Sequence, residues 1–246
     1  MTKSLRATIA TPGGKAPYVR RLFATIADRY DLITVLLSYG QDRRWKRRLL
    51  EMAEPLEGLR LIDLACGTGD IAVAAAARGA VVTGLDLTPR MIQLARDKAG
   101  AGGTSGSVSF VVGDMMTLPF ASGSCDVVTT GYGLRNVPAL APAVQEIGRV
   151  LKPGGRVGVS DVVAEDRLSP RERAERGSYV GCIAGALSKS EYEVGLEAAG
   201  FEDVAVEFTH EVADRIHGAI IRAVKTTDPT AKGLPVVQPA ARAGCC

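Results

Sequence analysis

Four acidic residues and two glycines fall at intervals suited to binding a nucleoside. Asp63 lies inside an apolar run that ends at Leu64, and Cys66, Gly67 and Gly69 follow, with Asp70 directly after them. Asp86 and Leu87 close the next apolar run, and Asp114 and Met115 stand at the end of a third. A strand that stops on a Gly-x-Gly turn and opens into a helix bares backbone N–H groups and lets a ligand approach the main chain closely. A carboxylate ending the next strand is placed to hold both ribose hydroxyls. The chemistry indicated is recognition of an adenosine-containing cofactor.

The pattern Gly67-x-Gly69-x-x-Ala72 serves a nicotinamide dinucleotide as well as S-adenosyl-L-methionine. Charge offers a discriminator. A dinucleotide brings a pyrophosphate to this loop, whereas a sulfonium donor is cationic and is favoured by nearby acids, here Asp63 and Asp70. The ordered set also includes Lys152-Pro153-Gly154-Gly155, a turn into a further strand.

These residues need a scaffold that brings strand ends together. Strands are expected at 59–64, 80–86, 108–112, 125–130 and 156–163, separated by helices at 70–78, 89–99 and 140–151. That alternation predicts an α/β fold, a doubly wound, mostly parallel seven-stranded sheet with ligands beyond the carboxyl ends of its strands. Two amphipathic helices are expected between Tyr18 and Leu50, where Val19, Leu22, Phe23, Ile26 and Tyr30 recur at helical spacing. Further helices are expected at 179–186 and 188–199. Strands at 201–208 and 219–224, joined through Thr209–Gly218, finish the sheet with an antiparallel pair. The organisation reads as a flexible arm (1–16), one domain (17–225) and a disordered tail (226–246). Within the domain lie a helical cap (17–55), a cofactor-binding core (59–163) and a substrate-side region (164–225).

With 246 residues, 46% of them hydrophobic, the chain can bury one substantial core. Thirty basic against 27 acidic residues leave a net charge of +3, too small a field to imply nucleic acid. No apolar run approaches a membrane span and no secretion signal opens the chain, so a cytoplasmic protein is expected. The basic run around Trp45 reads as a solvated face. Five cysteines, Cys66, Cys125, Cys182, Cys245 and Cys246, lack the spacing of a disulfide scaffold. The partner expected is a small molecule, and a homo-oligomer is compatible with this composition.

Across residues 59–160 the motif order resembles the class I S-adenosylmethionine-dependent methyltransferases. The resemblance implies that Asp86 takes the ribose hydroxyls, Asp114 the adenine amino group, and that Met115 packs on the ring. Methyl transfer is an in-line displacement that requires no catalytic metal, so the protein holds the acceptor, excludes water and deprotonates it where needed. The histidines, His210 and His217, read as structural or exposed rather than as bases. Asp86→Ala is therefore expected to cost cofactor binding with little loss of folding.

The acceptor divides the chain between two resemblances. Residues 18–160 resemble the ubiquinone/menaquinone biosynthesis C-methyltransferases in Phe23–Thr34, Leu37–Trp45, Leu118-Pro119-Phe120 and above all Gly133-Leu134-Arg135-Asn136-Val137. This implies that Arg135 and Asn136 contact a quinol's oxygens, with Tyr30 closing the pocket and Arg135 stabilising the phenolate. The chain departs from that family at Thr34, Asp161 and Val163, and lacks its long insertion after the fifth strand. Residues 160–225 resemble arsenite methyltransferases, in Ser160–Val163 and Gly181–Leu187. That resemblance implies trivalent arsenic bound by Cys182 and further thiols. A non-catalytic regulator that merely binds S-adenosylmethionine is a third alternative. C-methylation of a quinol-like phenol stands first, because more of the chain carries it.

Overall fold

A computed structural model describes residues 12–37, 41–103, 107–176 and 185–227. Among the described residues three helices precede the sheet: α1 (Pro12–Ile26), α2 (Tyr30–Leu37) after a 3-10 turn at Ala27–Arg29, and α3 (Asp42–Met52). The expected pair is thus a trio, and α1 begins inside the segment read as a flexible arm. The core follows as β1 (Arg60–Leu64), α4 (Asp70–Ala76), β2 (Val81–Asp86), α5 (Pro89–Ala101), β3 (Val108–Val112) and β4 (Cys125–Gly131). It continues with a 3-10 turn at Leu134–Asn136, then α6 (Leu140–Val150), β5 (Leu151–Ala164), α7 (Pro170–Arg176), β6 (Leu187–Ser188), α8 (Lys189–Ala198), β7 (Phe201–Ala213) and β8 (Ile216–Lys225).

The sheet runs β3-β2-β1-β4-β5-β8-β7, and the two-residue β6 pairs with β5 off this path. The seven-strand path expected from sequence is present, with an eighth short strand added. β1 to β5 are mutually parallel, while β8 runs antiparallel to both β5 and β7. Residues 61–64 of β1 are all buried, as a central parallel strand covered on both faces requires. Helices fit their ends: Pro89 opens α5, and α8 starts on a capping box in which Ser188 and Glu191 bond each other's backbone N–H. No helix among the described residues is long and apolar enough to cross a membrane.

Two stretches differ from expectation. β5 starts at Leu151, and Lys152–Gly155 form an irregularity in its pairing with β4 rather than a separate turn. β7 and β8 extend through the segment expected to be a long connection and leave only Asp214 and Arg215 between them. The expected helix at 179–186 falls mostly outside the described residues.

Candidate active site

Strand order reverses at β1, between β2 and β4, so the loops after β1 and β4 part and leave a crevice. In the loop after β1, Gly67 (φ 55°) and Gly69 (φ 85°) adopt left-handed backbone. A Cβ on Gly69 would also stand 3.0 Å from Ala95 and Phe110, so that glycine lets the loop settle on α5 and β3. The crevice holds a cavity of about 120 Å³ that opens to solvent.

Asp86, at the end of β2, ties the crevice together. Gly67 N donates to its Oδ2 at 2.9 Å and Thr88 N to its Oδ1 at 2.8 Å. Burial pushes its carboxyl above the usual value, against those bonds. Leu87, Asp114 and Met115 line the same crevice, and Asp114 Oδ1 accepts from Met116 N at 2.9 Å. The expected cofactor residues Gly67, Asp86, Leu87, Asp114 and Met115 therefore converge.

Asp63, Cys66 and Gly69 do not line the crevice. Asp63 is fully buried on β1, where Thr129 Oγ1 donates to its Oδ1 at 2.8 Å. Burial, opposed by Thr129 and the charge of Lys46, pushes its carboxyl up to about 7. Cys66 is turned back into the core beside Gly84 and Phe110, and its thiol is pushed well up by burial and by Asp63 and Asp86. β1 ends at Leu64, and Ala65, which does line the crevice, takes φ 50°, so the chain leaves strand geometry there and Cys66 follows the turn.

The buried Asp63 gives a pH prediction. Its folded value of about 7 exceeds its ordinary 3.8, so the folded state binds more protons than the unfolded one between these limits. Asp63 ionisation therefore removes stability as pH rises from about 4 to about 7, and the loss is complete above that window. Ligand-free Asp63→Asn, neutral throughout, is expected to melt closer to the wild-type protein at pH 5 and well above it at pH 8. Calorimetric melting temperatures across that range check this; parallel curves would mean that Asp63 does not titrate there.

Opposite the glycine loop, the wall after β4 comprises Tyr132, Gly133, Asn136, Val137 and Pro138. Asn136 faces the crevice as expected, and its Nδ2 donates to Tyr132 O at 2.9 Å. Arg135 does not face it. Its Nη1 lies 2.6 Å from Asp161 Oδ1, with Arg135 only 5% and Asp161 1% exposed. Tyr192 donates to the other Asp161 oxygen at 2.8 Å, and Val162 N donates to Oδ1 at 2.7 Å. The guanidinium expected to meet a phenolate is thus consumed by a buried acid.

Helix α1 and Tyr30 cover the opening. Val19, Arg20, Phe23 and Tyr30 line it, and the Tyr30 ring lies 6.0 Å from that of Phe23, edge on. Val19 and Phe23 read in sequence as an amphipathic core stripe; helical spacing marks an apolar face but not what it covers. Cys182, Cys245 and Cys246 lie outside the described residues.

Residues 12–167 match the ubiE/COQ5 methyltransferase family. The chain belongs to that family. Among its relatives, a demethylmenaquinone methyltransferase of Thermus thermophilus is 45% identical over 140 residues, 56% of this chain and 63% of the relative. A ubiquinone/menaquinone biosynthesis C-methyltransferase of Cereibacter sphaeroides is 42% identical over 149 residues, 60% of each chain. These matches span about three fifths of the relatives' length. The fold is shared with the [4+2]-cyclase SpnF, at a TM-score of 0.70 and 22% identity over 85% of this chain and 96% of that one. It is also shared with geranyl diphosphate C-methyltransferase of Streptomyces coelicolor, at 0.67 and 17% identity over 75% and 79%. A cyclase and a methyltransferase on one scaffold leave the reaction to be argued from the crevice.

Proposed function

We propose that the protein is an S-adenosyl-L-methionine-dependent methyltransferase acting on a ring carbon of a quinol-like phenol. The observation that carries this reading is the single crevice shared by Gly67, Asp86 and Asp114 on one side and Asn136 on the other. The donor set fits the cofactor: Asp86 suits vicinal hydroxyls, Asp114 an exocyclic amine, and Leu87 and Met115 an adenine face. When bound, the cofactor supplies an electrophilic methyl group on a sulfonium.

The chain's own residues hold, orient and dry the site. Phe23, Tyr30 and Val137 supply an apolar lining that keeps water from the reacting atoms. Asn136 brings a side-chain amide able to hydrogen-bond an acceptor oxygen, while Arg135 acts behind it on the wall's conformation. The closer relatives named as quinone methyltransferases support a quinol-like acceptor over arsenite. Calorimetric titration with S-adenosyl-L-methionine, followed by a labelled-methyl competition among demethylated quinols, small phenols and arsenite, tests the reading. Transfer to the quinol is expected. Transfer to arsenite alone, or donor binding with no transfer to any acceptor, would overturn it.

A further inference from the structure

Tyr30, which helps to close the crevice, opens α2. In α2 none of the described side chains is buried, and Leu32 is 62% exposed. Among the described side chains of α2, hydrophobic burial therefore contributes little to holding Tyr30 over the site. Polar contacts act there too, among them those of two nearby aspartates, Asp28 and Asp31.

Asp28 Oδ1 accepts from Arg90 Nε at 2.9 Å, joining the 3-10 turn to α5. Asp31 reaches two elements at once. Thr68 Oγ1, in the glycine loop, donates to Asp31 Oδ1 at 2.6 Å, and Lys98 Nζ, on α5, donates to Oδ2 at 2.8 Å. Lys98 also donates to Thr68 Oγ1 at 3.0 Å and pairs with Asp70 Oδ1 at 2.5 Å. Asp70 Oδ2 accepts from Lys46 of α3, which also pairs with Asp42. Burial alone would raise the Asp70 carboxyl, yet Lys46 and Lys98 hold it down at about 2. One chain of charge thus links α2, the glycine loop, α5, α4 and α3.

We propose that Asp31 is a positioning residue for the crevice: through Thr68 and Lys98 it docks α2 on the glycine loop and so sets the Tyr30 ring across Gly67. The ring's Cε1 lies 3.6 Å from where a Cβ on Gly67 would stand, which is ordinary packing distance. The clasp has a built-in sensitivity, because Asp31 and Lys98 are partly solvated, with side chains 49% and 33% exposed. Such a pair weakens with salt. Only its consequence for the donor rests on the proposed function; the docking itself does not.

Hydrogen exchange on the whole ligand-free chain tests the docking. Asp31→Ala is expected to speed exchange of the α2 amides about five-fold and to leave α4 unchanged; Lys98→Met, which also takes a cation from Asp70 at the start of α4, should speed α2 exchange as much. Asp31→Asn keeps an acceptor for Thr68 but loses the ion pair, so it should fall between. Unchanged α2 exchange in Asp31→Ala would overturn the proposal. The second arm measures S-adenosyl-L-methionine affinity. Asp31→Ala should weaken it about five-fold with Tyr30 present and not at all in a Tyr30→Ala background. Equal losses in both backgrounds would show that Asp31 does not act through Tyr30. A wild-type protein that ignores the donor refutes the proposed function, while the exchange data still decide on the clasp.

Discussion

Asp86→Ala is expected to weaken S-adenosyl-L-methionine binding roughly 100-fold or more and to lower the stability of the ligand-free protein by about 1–3 kcal/mol. The motif alone predicts the first effect without the second. The difference lies in what the carboxylate does within the protein itself: it accepts from Gly67 N and Thr88 N and thereby joins the glycine loop to the end of β2. Each oxygen keeps a second lone pair for a ligand hydroxyl. Removing the side chain leaves two N–H groups to find water and frees the loop whose left-handed turn shapes the site. Asp86→Asn separates the contributions, because its amide can retain one backbone bond but cannot present two anionic oxygens. It should recover part of the stability and little of the affinity. Titration calorimetry with urea unfolding of the same samples checks both. Unchanged stability in Asp86→Ala would return the residue to a purely ligand-facing role.

The contrast between Asp86 and its neighbours shows how far sequence reached. A glycine turn after an apolar strand and an acid at the end of the next strand are local consequences of a parallel sheet, so Gly67, Asp86 and Asp114 could be placed without coordinates. Cys66 sits in the same motif but turns into the core, because its direction follows a turn geometry that spacing alone does not encode. The antiparallel pairing of β7 and β8 was legible in sequence, but the tightness of their hairpin was not. Its turn residues, Asp214 and Arg215, lack the usual glycine, and Arg215 takes φ 61° itself. The polar residues around it imitate a loop because β7 lies at the sheet's edge, where solvent reaches both sides.

Arg135 was the most misleading residue, and it carries the second large effect. An arginine beside an asparagine after β4 points by resemblance to the substrate, but Asp161 is 26 positions away and nothing local reveals their pairing. Arg135→Ala is expected to destabilise the fold by about 3–5 kcal/mol, because it strands a carboxylate that is 1% exposed. Tyr192 and Val162 N still donate to Asp161, but neither carries its countercharge. Arg135→Met combined with Asp161→Leu removes both charges and should cost less than Arg135→Ala alone. In urea unfolding, a loss below about 1 kcal/mol for Arg135→Ala would refute the buried pair as a structural element. Turnover then separates the two roles. If Arg135 acts by holding the Asn136 wall, the charge-free double variant recovers part of the activity lost in Arg135→Ala. If its guanidinium meets the phenolate, both variants stay equally slow, whatever their stability.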